Sequence, residues 1–228
     1  MVKEPAMMRV WIKFAKESPM RFLSHLDLLR VWQRAIRRAA LPVAYSAGFN
    51  PHPKISFASA LAVGVTSDGE YLDIQFAKRL DGAAFERLAE TLPQGLKLLD
   101  WRQIPEATPA LMSLVCAAQW RLTLQAEESS HLQEAVQNLL AASSLPVERE
   151  GKKGIKTVDI RPLIYGLEVE EKEACLRMRL ASGGEAVVRP GEVLKLLSLP
   201  AAEGRLHRTE LYLASGGCFQ EPMAVLLN

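Results

Sequence analysis

The 228 residues are 49% hydrophobic and 24% charged, with a formal net charge of +2, which is ordinary for a globular chain. Near-neutrality excludes a nonspecific polyanion sponge, so any polyanion site must come from local clustering. No apolar run approaches the roughly 20 residues that span a bilayer, and the opening MVKEPAMMRVWIKF lacks the apolar core of a signal peptide, so a cytoplasmic protein without membrane contact is expected.

Taken in order, Met8 to Ala15 alternates like a strand, with Val10, Ile12 and Phe14 in phase. Ser24 is a good N-cap for a helix, and Asp27 stands three residues later, a spacing like that of a capping box. Along that helix Leu28, Trp32, Ala35, Ile36 and Ala39 fall on one side and Asp27, Arg30, Arg34, Arg37 and Arg38 on the other. A solvated helix face usually mixes signs for i,i+4 pairing, and here only Asp27 supplies a partner. The stripe reads either as a solubilising surface or as a docking surface for a polyanion such as RNA.

Next come two strands, Ile55 to Val63 and Glu70 to Ala77, joined by a turn at Gly64 to Gly69. Asp81 caps a second helix with Phe85, Leu88, Ala89 and Leu92 on its apolar side, and Leu96 to Trp101 is a fourth strand. A linker follows at 105–112, and the order then repeats. Leu114 to Gln125 is a strand, His131 to Ala142 a helix, Thr157 to Glu168 and Ala174 to Ala181 strands. Gly191 to Leu199 is a short helix opened by Pro190, and Arg208 to Ala214 the last strand. The expected fold is α+β, two tandem ferredoxin-like βαββαβ halves with antiparallel sheets, 1–104 and 113–228.

Between the first helix and the second strand runs Ser46-Ala47-Gly48-Phe49-Asn50-Pro51-His52-Pro53-Lys54. Pro51 and Pro53 lock φ and hold His52 extended, so the segment loses little entropy on binding. Asn50, His52 and Lys54 offer donors, and Phe49 offers a face on which a base can stack. A second basic loop carries Arg149, Lys152, Lys153 and Lys156, ahead of Asp159 and Arg161, where Asp159 is placed to orient the Arg161 guanidinium. This makes Arg30, Arg34, Arg37, Arg38, Phe49, Asn50, His52, Lys54, Lys152, Lys153 and Arg161 the candidate RNA-binding set.

His25 and His52 are weak catalytic candidates for general acid–base cleavage of RNA. Two histidines make no metal site without a third ligand, and Asp27 lies about 200° around the helix from His25. No metal and no cofactor are expected. Cys116, Cys175 and Cys218 are far apart and odd in number, which reads as three reduced, buried thiols.

The stretch RFLSHLDLLRVWQRAIRRAALPVAYSAGFNPHPKISFASALAVGVTSDGEYLDI, with KTVDIRPLI and VVRPGEVLKLL later, resembles the radical SAM-linked family of bacterial proteins of unknown function. That resemblance implies a radical SAM enzyme as partner, since members are encoded beside or fused to one. The chain itself lacks the C-x-x-x-C-x-x-C of a SAM-binding cluster. The tandem halves are also similar, at the level of fold, to RAMP proteins that bind or process CRISPR RNA, although the glycine-rich loop of those proteins has only Ser215-Gly216-Gly217 as counterpart. The resulting expectation is an RNA-binding accessory protein without catalytic activity, presenting tRNA or rRNA to the radical SAM enzyme. Two alternatives stand beside it: an adaptor that docks on that enzyme without RNA, and a metal-independent endoribonuclease.

Overall fold

The computed structural model describes residues 7–125, 128–151, 154–184, 187–199, 205–215 and 217–225. Its elements are β1 (Met8–Lys16), α1 (His25–Arg38), β2 (Ile55–Phe57), β3 (Thr66–Phe76), α2 (Gly82–Thr91), β4 (Leu96–Ile104), α3 (Leu111–Leu114) and β5 (Val115–Thr123). They continue as α4 (Ser129–Ala141), β6 (Pro146–Gly151), β7 (Gly154–Asp159), β8 (Ile164–Glu170), β9 (Cys175–Ala181), α5 (Pro190–Leu196), β10 (Leu206–Ser215) and β11 (Cys218–Gln220). Among the described residues no helix is long and apolar enough to cross a membrane.

The fold is mixed α+β around one large sheet, ordered β4-β1-β3-β10-β5-β9-β8, with β2 added on β3 and β11 on β10. The pairing of β3 with β10 is parallel and all others are antiparallel. Two separate sheets were expected, and β2 explains the difference. Only Ile55–Phe57 pairs with β3, the amide of Ala58 makes a last bond to Tyr71 O, and the chain then leaves. The rest of the β3 edge is taken by β10, with His207 opposite Thr66 and Arg208 opposite Ser67. An unpaired edge inside a protein is costly, and β10 supplies the missing partner.

Two apolar cores flank this sheet. Val10, Ile12 and Phe14 of β1 and Leu72, Ile74 and Phe76 of β3 meet Leu28, Trp32 and Ile36 of α1 and Phe85 and Leu88 of α2. The Trp32 ring stands edge-on to Phe14 at 5.0 Å. Ala118, Trp120 and Leu122 of β5 join Leu176, Met178 and Leu180 of β9 in the second core, under Val136 of α4 and Val193 of α5. Trp11 and Tyr71, from the opposite face of β1 and β3, belong to this second core, so both faces of those strands are covered.

Other expected boundaries shift for local reasons. Thr157 to Glu168 is interrupted by a 3-10 turn at Arg161–Leu163, because Pro162 has no N–H to donate to a ladder. The part before the turn pairs with β6 as a separate hairpin, and the part after it joins the main sheet. The cysteines are all free, but only Cys175 is buried; Cys116 is half-buried and Cys218 is exposed on the β11 edge.

Candidate nucleic-acid interface

The interface begins with the start of α1. The Asp27 amide donates to Ser24 Oγ at 3.2 Å, and Ser24 Oγ donates to Asp27 Oδ2 at 2.7 Å. Ser24 and then Arg30, whose Nη1 reaches Asp27 Oδ1 at 3.0 Å, hold the Asp27 carboxyl below its ordinary range. With that end fixed, Leu28, Trp32, Ala35, Ile36 and Ala39 are buried, while Arg30, Arg34, Arg37 and Arg38 are exposed. Arg38 donates to Thr91 O at the end of α2. Arg34 and Arg37 have no ion pair or side-chain hydrogen bond among the described residues, so their guanidinium forks are open to a ligand.

The loop after α1 is closed at its base. Ser46 N donates to His52 O at 2.9 Å, and His52 N donates back to Ser46 Oγ at 3.0 Å. Below that, Tyr45 bridges Pro53, Lys54 N donates to Ala44 O at 2.8 Å, and Gln75 N of β3 donates to Lys54 O at 3.0 Å. Gly48 adopts φ +124°, a conformation that side chains other than glycine's resist. This geometry projects Phe49 wholly into solvent, with Asn50, His52 and Lys54 exposed beside it. A fully exposed phenylalanine on a pinned loop contributes nothing to the core and is available to stack.

Helix and loop meet over a small cavity of about 210 Å³, whose walls include Gln33 and Arg37 from α1 and Tyr45 and Pro53 from the loop. Tyr45, which is not in the candidate set above, stands 53% exposed there. Its alternation with Val43 in the run Pro42-Val43-Ala44-Tyr45 was the available signal. His25 and His52 are both exposed; His25 packs edge-on to Phe57 at 5.0 Å, and no hydrogen bond joins the two histidines.

The second basic region is organised differently. Lys152 and Lys153 lie outside the described residues, as does Gly216 of the glycine pair. Arg149 turns to Glu192 at 2.7 and 2.8 Å. Arg161 donates from Nε and Nη2 to Leu140 O at the end of α4, at 3.1 and 2.6 Å. Asp159 accepts from the backbone amides of Leu145 and Arg161 and not from the guanidinium, and those two amides are the main reason its carboxyl lies below its ordinary range. Both arginines therefore tie elements together.

Two features were not legible in the sequence. A cavity of about 830 Å³ opens where residues 58–65, which leave the sheet after β2, face residues 182–184, residues 187–189 and α5. Its walls are mostly apolar, Trp120 and Arg208 reach it from the sheet, and Arg189 and Lys195 stand at its margin. Among the described residues Glu170, Glu173 and Cys175 also gather three potential metal ligands, with Arg177 between the two carboxylates at 2.8 and 3.3 Å.

The sequence signature described as "Uncharacterized protein conserved in bacteria (DUF2344)" matches residues 9–190. No curated protein matches the chain. A crystal structure of an unknown protein from Galdieria sulphuraria is similar at 12% identity, over 92% of this chain and 100% of that one, with a TM-score of 0.28. A likeness that weak carries nothing across to this chain.

Proposed function

This chain belongs to that family of uncharacterised proteins conserved in bacteria, and we propose that it serves as an RNA-binding accessory protein without catalysis of its own. In this reading α1 and the Gly48–Lys54 loop form one surface. Arg34 and Arg37 neutralise phosphates, Arg30 and Arg38 add charge while keeping Asp27 and Thr91 as partners, and Phe49 stacks on an exposed base. Asn50 and His52 contact the same nucleotide, and Lys54 holds its backbone. The observation that carries the proposal is the pairing of a fully exposed Phe49, on a loop closed by Ser46 and His52, with two unengaged arginines. Each half reads as ferredoxin-like, through the strand orders β4-β1-β3-β2 and β10-β5-β9-β8. The resemblance to radical SAM-linked proteins adds the partner: the RNA, tRNA or rRNA, is presented to a radical SAM modification enzyme.

Measuring RNA affinity against salt tests the interface. Four phosphate contacts give a log–log slope of about −3 to −4, and Arg34→Ala with Arg37→Ala lowers its magnitude by about 1.4 to 1.8. A slope that does not change in the double variant removes α1 from the interface. Retention of the radical SAM enzyme by nuclease-treated protein, lost on Arg34→Glu, is the outcome that favours the adaptor reading.

A further inference from the structure

The second half has a sheet face that no helix covers among the described residues. β5 and β9 turn Trp120, Met178 and Leu180 into the core, so the alternate residues Gln119, Arg121 and Arg179 point out of the other side. Tyr212 points outward between the buried Leu211 and Leu213. A register shift between Ile164 and Gly166 turns Tyr165 out as well, where strict alternation with the buried Leu167 would place it inside. Phe219 of β11 completes the group. Its ring centroid is 4.9 Å from that of Tyr165 and 6.1 Å from that of Tyr212. The Arg179 guanidinium lies 5.2 Å from the Tyr212 centroid and 5.6 Å from that of Phe219, and its Nε donates to Gln119 Oε1 at 3.0 Å.

The solvent side of an antiparallel sheet is normally polar, yet Tyr165 and Phe219 remain 42% and 37% exposed. The charges beside them decide what covers them. Arg121 and Arg179 have no carboxylate within 4 Å among the described residues; Arg121 stands directly opposite Arg177, which is held by Glu170 and Glu173, and Glu210 and Glu221 act on Tyr212 against Arg179. Glu168 stands opposite Arg177 on its other side, so the face is basic at Arg179 and mixed in sign along the row Arg121, Arg177 and Glu168. An apolar protein face laid over the rings would strip water from the Arg121 and Arg179 guanidinium groups, neither of which has a carboxylate partner among the described residues. An unpaired nucleotide brings a ring for each aromatic face and a phosphate for each cation.

We propose that this open sheet face is a stacking platform for one or two unpaired nucleotides of single-stranded RNA. It is separate from the α1 surface and does not depend on a radical SAM partner.

The test titrates the full chain with a labelled single-stranded oligouridine of about 12 nucleotides and with a blunt RNA duplex of the same length. Tyr165→Ala with Phe219→Ala weakens oligouridine binding by roughly tenfold or more and leaves the duplex within about twofold, while Phe219→Tyr keeps the parent affinity. Arg121→Ala, at an exposed position, lowers the salt slope for oligouridine by about 0.7. Oligouridine affinity unchanged in both the ring variant and Arg121→Ala overturns the platform, as does an equal loss for duplex. The α1 surface is read separately: Arg34→Ala with Arg37→Ala weakens both probes. If only that variant has an effect the platform falls and the α1 reading survives; if only the ring variant has one, the reverse holds.

Discussion

Arg208 is 1% exposed and keeps a nearly complete set of partners. Its Nε and Nη2 meet both oxygens of Glu70 at 2.8 and 2.6 Å, Nη1 reaches Ser59 Oγ and Ala60 O, and the guanidinium lies 5.4 Å from the Trp120 ring. Lys16 is buried close by with its Nζ on Arg21 O and Leu23 O; burial lowers its pKa, with Arg208 acting in the same direction and Glu70 against. One carboxylate thus serves two buried cations. Breaking a buried pair by removing one partner costs about 3–5 kcal/mol, because the other charge is left uncompensated. Arg208→Ala is expected to lose that much in urea unfolding, and Arg208→Met with Glu70→Leu to recover only part of it, because Lys16 then lacks its carboxylate. A loss under about 1 kcal/mol in the single variant rejects the account. None of this was legible in the sequence, where Arg208 only opened a strand: Glu70 lies 138 positions away, and no spacing rule connects them.

Elements divide by how local their determinants are. The α1 helix was readable because its cap, its apolar stripe and its arginine stripe all lie within 16 residues of Ser24. The end of β2 was not readable, since ISFASALAV alternates well enough for a longer strand, and only the arrival of β10 on the β3 edge decides where pairing stops. The α1 surface and the loop were therefore visible in advance, whereas the aromatic group around Phe219 needs a register shift and two distant strands. The start of α4 shows the same dependence. Arg205, just before β10, places both guanidinium nitrogens on Glu128 at 2.7 and 2.8 Å, and Gln125 N adds a third bond. The Arg205 fork is the main reason the Glu128 carboxyl drops to about 2 from its ordinary 4.5. A depressed carboxyl stabilises the fold fully above its unfolded value and loses that contribution as pH falls toward the folded one. The difference in urea midpoint between the parent and Glu128→Gln is accordingly expected to shrink as pH falls from 4.5 to about 2. A difference that stays constant over that range refutes the pairing.

At the scale of the whole molecule, β3 and β10 meet in a short seam beside the core that Trp11 and Tyr71 share with β5 and β9. Besides its two parallel residue pairs, Ser67 Oγ donates to Arg208 O at 2.9 Å, and Tyr71 Oη donates to Glu210 Oε1 at 2.6 Å. Lys13 also pairs with Glu210, whose carboxyl is raised chiefly by burial. The segment expected as a linker is fastened too: Arg9 pairs with Asp73 and donates to the carbonyls of Glu106, Thr108 and Pro109. Gly69 makes the seam possible. A Cβ there would stand 2.7 Å from Glu210 N and from Thr209 O, both of them backbone atoms that cannot swing aside. Gly69→Ala is expected to lose about 1–3 kcal/mol of stability in urea unfolding. Gly82→Ala, with nothing within 4 Å of the added atom, is expected to be neutral or to gain about 0.4–1 kcal/mol. Equal stability in the two variants would show that the seam tolerates a wider separation.

The seam also has a consequence in time. Thr66 and His207 are 141 residues apart, and a ribosome adding about 5–20 residues per second needs roughly 7–28 s to cover that distance. Once β4 has been made, the first half has its helices and strands, but the β3 edge beyond β2 lacks its neighbour until β10 follows. An unpaired edge is a template for another chain, so crowded nascent chains are at risk of joining there before β10 emerges. Gly69 lies on that stretch of edge and carries no side chain to block such an encounter. The residue that lets the two halves close is thus also the point at which two unfinished chains meet most easily.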